Sequence, residues 1–441
     1  MKRNVKQRLY THEGAPAKHI TLYQQLRRSV LSCMLFEKEF YEDGQDIAER
    51  IYRTAHGCKA SEVAVLATEA RSKYKLRHAP LMLLKALVSH PHVPKRNIIG
   101  RTIADTIQRP DELTEFVALY FDGKRKPLSA QMKKGLGLAF RKFDEYQLAK
   151  YNWDGAVKLR DVLFLCHAKP KDKTQEDVWK RLIDGKLKTP NTWEVSLSSG
   201  EDKKETFERL IREKKLGYMA LLRNLRNMKN AGVSKSFVEQ PLIEGAKKSK
   251  ALPFRFVSAA VSVPAWEDII EQALFNCLGN KERLRGHTAI IVDCSDSMGA
   301  KLSSKSILSR FDAAASLAII VREIADKVSV IAYGTDLKLV QPRRGFALRD
   351  VLNHANVGWG TDLRKVISAC NAAHDSDLKI DRSIVITDEQ TRTDVPDPNH
   401  KSYVINVASA RNGVGYGSFV HIDGFSEATI DYIQELEAEH E

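Results

Sequence analysis

Apolar residues recur at helical spacing through the first 285 residues of the chain. Between 128 and 143, for example, Met132, Leu136, Phe140 and Phe143 follow one another at intervals of four, four and three, which places them on one helix face. The stretch from 218 to 228 predicts a second such helix. Short helices separated by Pro, Gly and Asn, with almost no period-two alternation, indicate stacked helical pairs.

The pattern changes near residue 286, where short apolar runs begin to alternate with helical segments. The predicted strands lie in the sequences HTAIIVD, VSVIAYG, SIVITD, SYVINV and SFVHIDG. Helices are predicted at 311–324, 363–373 and 426–437. Apolar strands that alternate with helices indicate a doubly wound, parallel α/β sheet. The fold class predicted is therefore multidomain, with an all-helical domain at 1–285 and an α/β domain at 286–441.

Five oxygen-bearing side chains are predicted to meet at one edge of that sheet. Asp293, Ser295 and Ser297 form an Asp-x-Ser-x-Ser sequence after the first strand, Thr361 lies in the loop WGTD, and Asp388 ends the strand SIVITD. Open α/β sheets bind ligands beyond the carboxyl ends of their strands. Two carboxylates and three hydroxyls suit a hard divalent cation, Mg²⁺ or Mn²⁺. The alternative is that the serines cap the next helix and Asp388 is a turn residue.

The charge of the chain is strongly positive and unevenly distributed. A net charge of +14 favours a polyanionic partner, such as nucleic acid or an anionic membrane surface. Residues 286–441 hold 16 Lys/Arg against 22 Asp/Glu, which leaves 54 basic and 34 acidic residues upstream. The basic character therefore belongs to the helical region, unless the excess only solvates exposed helix faces.

Cysteine spacing and hydropathy predict a cytoplasmic protein. The six cysteines are scattered and form no Cys-x-x-Cys pair, as is typical of reduced thiols. No apolar segment follows the basic start MKRNVKQRLY, and no apolar run is long enough to span a bilayer. We therefore expect neither a signal peptide nor a membrane segment.

The Asp-x-Ser-x-Ser, Thr and Asp set resembles the metal-ion-dependent adhesion site of von Willebrand factor A domains. The resemblance implies that the five residues hold a metal directly or through water, and that an acidic residue of a partner completes its shell. The family's Gly-Gly-Thr-Asp is changed here, because Trp359 stands between Gly358 and Gly360. This insertion leaves Thr361 in place and is expected to narrow access to the ion.

Several runs of the helical region resemble the TROVE module of the Ro autoantigen family, including its bacterial and phage members. They are FRKFDEYQLAKYN (140–152), KLRDVLFLCHAKP (158–170), TPNTWEVSLS (189–198), KLGYMALLRNLRNM (215–228) and ALPFRFVSA (251–259). With the A domain, the resemblance covers nearly the whole chain in the family's order. It implies a closed ring of HEAT-like helical pairs and a monomeric protein.

The resemblance also implies a non-catalytic RNA-binding scaffold that acts in RNA quality control or degradation. In the family, a basic outer surface binds Y RNA, and a central hole takes the single-stranded ends of misfolded or damaged RNA. A 3′-to-5′ exoribonuclease tethered through the RNA is the expected protein partner. Lysine and arginine beside a phosphate backbone agree with this, because they give salt-dependent, largely sequence-independent affinity.

The residues predicted to contact RNA cluster in one segment of the helical region. They are Lys150, Lys158, Arg160, His167 and Lys169. Lys150 and His167 match positions of the family's Y RNA surface, whereas Asp154 stands in a stretch that is often basic in the family. Alternatively, Lys158 and Arg160 are an exposed helix face, and His167 bonds a carbonyl at a helix end.

A second, weaker set of RNA-contacting residues follows from basic clusters elsewhere. Lys73 and Arg77 flank Tyr74, whose ring could stack an unpaired nucleotide. Arg223, Arg226 and Arg255 could line a passage. For all six, a purely structural role is an equal alternative.

The sequence predicts that the protein is not an enzyme. It contains no P-loop, no His-Glu-x-x-His and no Gly-x-Ser-x-Gly sequence. Metal-dependent nucleases usually need more anionic ligands than the hydroxyl-rich set offers. The alternative function comes from another class: a metal-dependent protein adhesion module, in which the A domain acts and the helical region is an adaptor.

Overall fold

The structure is a computed structural model, and it describes most of the chain. The described residues are 9–10, 14, 16–17, 21–31, 44–93, 97–189, 193–198, 200–249, 251, 253–279, 281–302, 308–408, 413–414, 418–424 and 428–438. Residues 190–192 and 252, within two of the TROVE-like runs, lie outside this set, as does Ser426, where the last helix is predicted to begin.

The chain divides into two compact units. We call Thr21–Phe36 with Gln45–Asn191 the helical unit, and Met1–Ile20, Glu37–Gly44 and Thr192–Glu441 the mixed unit. The predicted boundary at 285/286 coincides with the start of the central strand at Leu284, while the mixed unit extends back across it to include the helices from Trp193 onward. The boundary as a domain limit stays a prediction.

The helical unit is built from short helices that pack in neighbouring pairs. They are α1 (Leu22–Leu31), α2 (Gly44–Gly57), α3 (Ala60–Ser72), α4 (His78–Val88), α5 (Ile98–Thr106), α6 (Pro110–Phe121), α7 (Ala130–Phe140), α8 (Glu145–Lys150), α9 (Leu159–Cys166) and α10 (Lys173–Ile183). Helix α3 packs on α4 and α5, α5 on α7, and α7 on α9. A Cβ at Gly135 of α7 would lie 2.6 Å from the Gly100 carbonyl oxygen of α5, so glycine permits this close approach.

The predicted helix at 128–143 is confirmed as α7. The Ser129 hydroxyl caps it by accepting from the Met132 amide, and Met132, Leu136 and Phe140 are fully buried while Phe143 is 4% exposed. Burial at helical spacing is what the sequence pattern predicted.

From Trp193 to Leu278 the described residues of the mixed unit form further short helices. They are α11 (Trp193–Ser198), α12 (Lys203–Arg212), α13 (Tyr218–Arg223), α14 (Leu225–Asn230), α15 (Lys235–Ala246), α16 (Phe254–Ser262) and α17 (Glu267–Leu278). The single helix predicted at 218–228 is wrong, because it breaks at Asn224 into α13 and α14. The buried Asn224 side chain donates to the Ala220 carbonyl and accepts from Asn227. Such local bonds of asparagine compete with helix continuation.

The second half of the mixed unit is an α/β sheet. Its elements are β3 (Leu284–Asp293), α18 (Arg310–Ile324), β4 (Ala325–Tyr333), β5 (Leu337–Val340), α19 (Phe346–Asn353), α20 (Leu363–His374), β6 (Arg382–Thr387), β7 (Lys401–Asn406), β8 (Val420–Asp423) and α21 (Ala428–Ala438). The strands β1 (Leu9–Tyr10) and β2 (Pro16–Ala17) form a separate two-stranded sheet. The strand order is β5-β4-β3-β6-β7-β8. All neighbours are parallel except β5, which runs antiparallel to β4. The predicted doubly wound α/β fold is confirmed.

Helices cover both faces of this sheet. Leu363, Val366, Ile367 and Cys370 of α20 pack with alternate residues of β3, β4, β6 and β7. Helix α18 contacts β3, β4 and β6, and the intervening strand residues, such as Ile290 and Val292, are equally buried. Because strand side chains alternate between faces, both faces are core. Strand β5 and helix α19 are additions that the sequence pattern did not predict.

None of the described helices combines the length and apolarity needed to cross a bilayer. The cysteines at 58, 166, 277, 294 and 370 are free thiols. Burial raises the pKa of the Cys166 thiol to about 11 and of the Cys370 thiol to about 12. These thiols are therefore unreactive at neutral pH, as expected of structural cysteines.

Candidate functional site

The five predicted metal ligands lie around the point where the sheet reverses its strand order. Strand β3 ends at Asp293, and its register partner β6 ends at Thr387, one residue before Asp388. The chain leaves β3 to form β4 on one side and later returns to form β6 on the other. Loops diverge at such a switch point and leave a crevice for ligands. We call this region the carboxyl edge of the sheet.

Asp293 is fully buried and held by short hydrogen bonds. Its Oδ1 accepts from the Ser295 amide at 2.9 Å, and its Oδ2 accepts from the hydroxyls of Thr387 at 2.6 Å and Tyr333 at 3.2 Å. Burial and the nearby Asp388 carboxylate raise the pKa of Asp293, and the bonds from Ser295 and Thr387 oppose that rise. A cation at this edge would favour the ionised form of the carboxyl group.

The hydroxyl residues lie in two loops of this edge, Ser295 and Ser297 after β3 and Thr361 before α20. The Ser295 and Ser297 Oγ atoms lie 3.3 Å apart. Thr361 precedes α20, and its carbonyl accepts from the Thr391 hydroxyl at 3.5 Å. The Trp359 carbonyl accepts from the Asp296 amide at 3.1 Å, which ties the two loops together. The Trp359 side chain itself is 86% exposed.

An arginine that the sequence analysis missed contacts one of the predicted ligands. The Arg310 Nη1 lies 3.3 Å from Asp388 Oδ2, and the two side chains are 1% and 0% exposed. Arg310 is the first residue of α18, after the capping Ser309. By position in the sequence it looks like an ordinary solvated residue of a helix start, so no local signal identifies it.

The donor set fits a hard divalent cation chemically. It supplies two buried carboxylates and three hydroxyls, all oxygen ligands of the kind Mg²⁺ prefers. Within the described residues no three His, Cys, Asp or Glu side chains gather as a metal cluster, so the hydroxyls would have to complete the shell. The Arg310 guanidinium already offsets part of the negative charge at Asp388, which would weaken cation binding.

A second buried polar group lies beside Asp388 on the same edge. Glu389 adopts a left-handed backbone conformation with φ of 60°. Its Oε2 accepts from Asn406 Nδ2 at 2.8 Å, and its Oε1 lies 3.0 Å from His421 Nδ1. The Glu389 and His421 side chains are 0% and 2% exposed. The Asn406 hydrogen bond and the His421 contact link the loop that carries Asp388 to the ends of β7 and β8.

The five residues of the first predicted RNA-contacting set lie on α8, α9 and their flanking loops. Lys150 ends α8, Lys158 and His167 cap the two ends of α9, and Lys169 follows in an exposed loop. Arg160 is 52% exposed and 4.0 Å from Asp161. Lys158 forms an ion pair of 2.6 Å with the exposed Asp154, so one of the predicted cations is partly neutralised. His167 has a φ of 50°, which ends α9.

The weaker set is only partly available to a ligand. Tyr74 is 2% exposed and its hydroxyl bonds with Arg27 and Glu69, so its burial corrects the prediction that this ring stacks a nucleotide. Lys73 lies 5.8 Å from the Tyr74 ring. Arg77 pairs with Asp111 and Glu115 of α6, which gives it a structural role.

The arginines of the mixed unit differ from Arg77. Arg223, Arg226 and Arg255 are exposed. Arg223 and Arg226 form no ion pair with any residue in the described part of the chain. The first two therefore remain available for contact with an anion.

Stacked helical pairs together with a von Willebrand factor A-like α/β sheet define the class of this protein. Residues 179–283 match the TROVE domain family. The chain is similar in fold to the Ro (RSR) protein of Deinococcus radiodurans, with a TM-score of 0.61 and 18% identity, over 92% of this chain and 97% of that one.

Two mammalian proteins share a shorter region. Telomerase protein component 1 of Mus musculus is 39% identical over 87 residues, and that of Rattus norvegicus is 38% identical over 87 residues. The match covers 19% of this chain and 3% of either relative. The predicted resemblance is thus confirmed: residues 179–283 match the TROVE domain family, and the chain is similar in fold to a Ro protein.

Proposed function

We propose that the protein is a non-catalytic RNA-binding scaffold. Small structured RNAs of the Y RNA type bind the helical unit through Lys150, Lys158, Arg160, His167 and Lys169. The observation that carries the proposal is the placement of these five residues on the consecutive helices α8 and α9 and the adjoining loops. No acidic residue of the described chain forms an ion pair with Lys150 or Lys169.

The spacing of these side chains suits a nucleic acid backbone. Lys158 and His167 cap opposite ends of α9, and their nine-residue separation corresponds to roughly 13 Å at 1.5 Å per residue. Basic and hydrogen-bonding side chains along such a length can contact several phosphates of one strand. Contacts to phosphate position an RNA without reading its sequence.

Our proposal extends to the fate of the bound RNA. Single-stranded ends of misfolded or damaged RNA enter a passage to which the exposed Arg223 and Arg226 contribute. The protein acts in the cytoplasm as a monomer, in RNA quality control or degradation, and presents RNA to a 3′-to-5′ exoribonuclease. The basic balance upstream of residue 286 supports binding to a polyanion such as RNA.

The test is to purify the protein from its own cells after crosslinking and to sequence the attached RNA. We expect a small set of abundant structured RNAs, lost in a Lys150→Ala, His167→Ala double variant. A Lys203→Ala variant of α12 is the matched control and should retain the RNA. Recovery of protein partners with almost no RNA would refute the scaffold.

A second function is favoured by the carboxyl edge of the sheet. We propose that Asp293, Ser295, Ser297, Thr361 and Asp388 hold Mg²⁺, with Mn²⁺ as a substitute, and that an acidic side chain of a protein partner completes the shell. The nearly complete exposure of Trp359 beside the candidate site supports an adhesion role. In this alternative the helical unit is an adaptor.

Calorimetric titration with Mn²⁺ tests the metal site directly. Asp293→Asn should abolish saturable binding, because it removes a carboxylate charge without changing the size of the side chain. Asp296→Asn is the matched control in the same loop, since Asp296 is exposed and is not one of the predicted ligands. Equal binding by both variants would show that Asp293 holds no metal.

A further inference from the structure

A groove of the helical unit combines cations with an exposed aromatic ring. Its volume is about 600 Å³, within the range of roughly 300–1,000 Å³ typical of small-ligand clefts. The charged and aromatic residues that line it are Arg125, Lys126, Lys133, Asp161, Phe164 and His167. Of these, the sequence analysis identified only His167.

Phe164 faces this groove because α9 buries a different side. Leu159, Val162, Leu163 and Cys166 form the buried stripe of α9, which packs on α6 and α7. Phe164 falls outside that stripe and is 57% exposed. An exposed ring with a free face is a surface on which a nucleobase of any sequence can stack.

The cations of the groove are available to an anion. Arg125 and Lys126 are exposed and Lys133 is half-buried. None of the three forms an ion pair with an acidic residue in the described part of the chain. Pro127 and Leu128 lead from the groove into the Ser129 cap of α7, whose N-terminal end adds partial positive charge.

We propose that this groove binds one unpaired nucleotide of an RNA, with its base stacked on Phe164 and its phosphate beside Arg125 and Lys133. The inference rests on the proposed RNA-binding function and deepens it, because it gives the protein a preference for RNA in which a helix adjoins an unpaired base. A fully paired helix hides its base faces and cannot use Phe164.

The test is a binding cycle with the full-length chain and labelled RNA hairpins. The probes are a fully paired hairpin, the same hairpin with one bulged nucleotide, and the same hairpin with a short single-stranded tail. Phe164→Ala should weaken the bulged or the tailed hairpin by roughly ten-fold, and leave the paired hairpin unchanged. The probe that is affected identifies the source of the unpaired nucleotide.

Replacing the unpaired nucleotide by an abasic one completes the cycle. If base and ring stack, the abasic change weakens binding to the unaltered protein but has no further effect on Phe164→Ala. Independent, additive losses would overturn the proposal. Leu138→Ala, which removes another exposed apolar side chain of the helical unit, should bind every probe normally.

The outcomes separate the groove from the wider function. If all three hairpins bind and Phe164→Ala has no effect, the proposal for the groove is wrong and the proposed RNA-binding function is retained. Failure of the unaltered protein to bind any hairpin would overturn both. Arg125→Ala should weaken all three hairpins and make their binding less dependent on salt, as expected for a lost phosphate contact.

Discussion

The charges of the α8–α9 segment and those of the sheet's carboxyl edge illustrate opposite uses of ionic side chains. Around α9, Arg160, His167 and Lys169 are exposed, whereas Lys150 and Lys158 are half-buried. Among the described residues of this segment, Lys158 and Arg160 lie near an acidic partner. At the carboxyl edge Asp293, Asp388, Glu389 and Arg310 are buried and linked to neighbouring groups. Exposed charge contributes little to stability and remains available to a partner. Buried charge is fixed by the fold, and its loss is costly.

The largest expected effect is a difference in folding free energy between two Arg→Met variants, one at a buried arginine and one at an exposed arginine. Arg382 of β6 is 6% exposed and forms a two-point ion pair with Glu437 of α21, while also donating to Thr288. Arg382→Met leaves Glu437 without this partner and should cost about 3–5 kcal/mol of folding free energy. Arg160→Met should change it by less than about 0.5 kcal/mol. Denaturant unfolding followed by circular dichroism measures both, and equal losses would abolish the distinction.

The second effect is a difference between the salt dependence of RNA binding and that of Mn²⁺ binding. If Lys150, Lys158, Arg160 and Lys169 each contact one phosphate, raising NaCl from about 50 to 200 mM should weaken RNA binding roughly a hundred-fold. Mn²⁺ binding at the buried carboxyl edge should weaken by less than about ten-fold over the same range, because buried charges are screened less. Fluorescence anisotropy and calorimetry give the two slopes. A shallow RNA slope would mean that fewer cations contact the backbone than proposed.

The third effect is the pH dependence of the unfolding free energy that arises from Glu437 and its hydrogen-bond partners. Burial raises the pKa of Glu437, but hydrogen bonds from Arg382, Lys401 and Tyr403 outweigh it and bring the pKa to about 2. The folded pKa lies below the unfolded value of about 4.3. The stabilisation, on the order of 2 kcal/mol, is therefore present above pH 4–5 and lost as pH falls toward 2.

Comparison of unfolding free energies for the unaltered protein and Glu437→Gln between pH 7 and pH 2 checks this dependence. The difference between the two should shrink as the pH falls. Glu176→Gln, which alters an exposed pair with Lys180, should show almost no difference at any pH. A constant difference for Glu437→Gln would contradict the depressed pKa.

The smallest effect is expected at Trp359. Its ring is 86% exposed, and only its backbone carbonyl bonds to the neighbouring loop. Trp359→Ala should therefore change stability by less than about 0.5 kcal/mol and leave RNA binding intact. Thermal unfolding and hairpin binding test this, and a large loss of stability would place the ring in the core instead.

Hydrophobic periodicity predicted the helices and strands of this fold well where the same side of an element is buried along its whole length. The buried stripe of α7 and the apolar strands β3, β6 and β7 follow directly from the sequence pattern. Strand β5 has four residues, three of them exposed, so it carries almost no hydrophobic signal. The break at Asn224 depends on side-chain bonds that compete with the helix, which an apolar pattern does not reveal.

The candidate sites were predictable only where local sequence fixes position. Asp293, Ser295 and Ser297 follow from strand, turn and spacing. Arg310 contacts Asp388, which lies 78 positions away in the sequence. The hydroxyl of the buried Tyr74 accepts a hydrogen bond from Arg27, 47 positions away. Phe164 and Leu163 are adjacent apolar residues, and only the packing of α9 decides which of them is exposed. Long-range packing therefore decides what the local pattern leaves open.

The contacts of helix α18 determine where a stable fragment of the protein can begin. It packs on the strands β3, β4 and β6 and also on α16 and α17, while the Glu271 carboxylate of α17 accepts from the Phe346 amide at 2.7 Å. A fragment that starts at residue 286 would strip α18 of one set of neighbours and expose an apolar surface to water. A chain fragment made for study of the sheet should therefore begin near residue 192, so that α16 and α17 remain packed on α18.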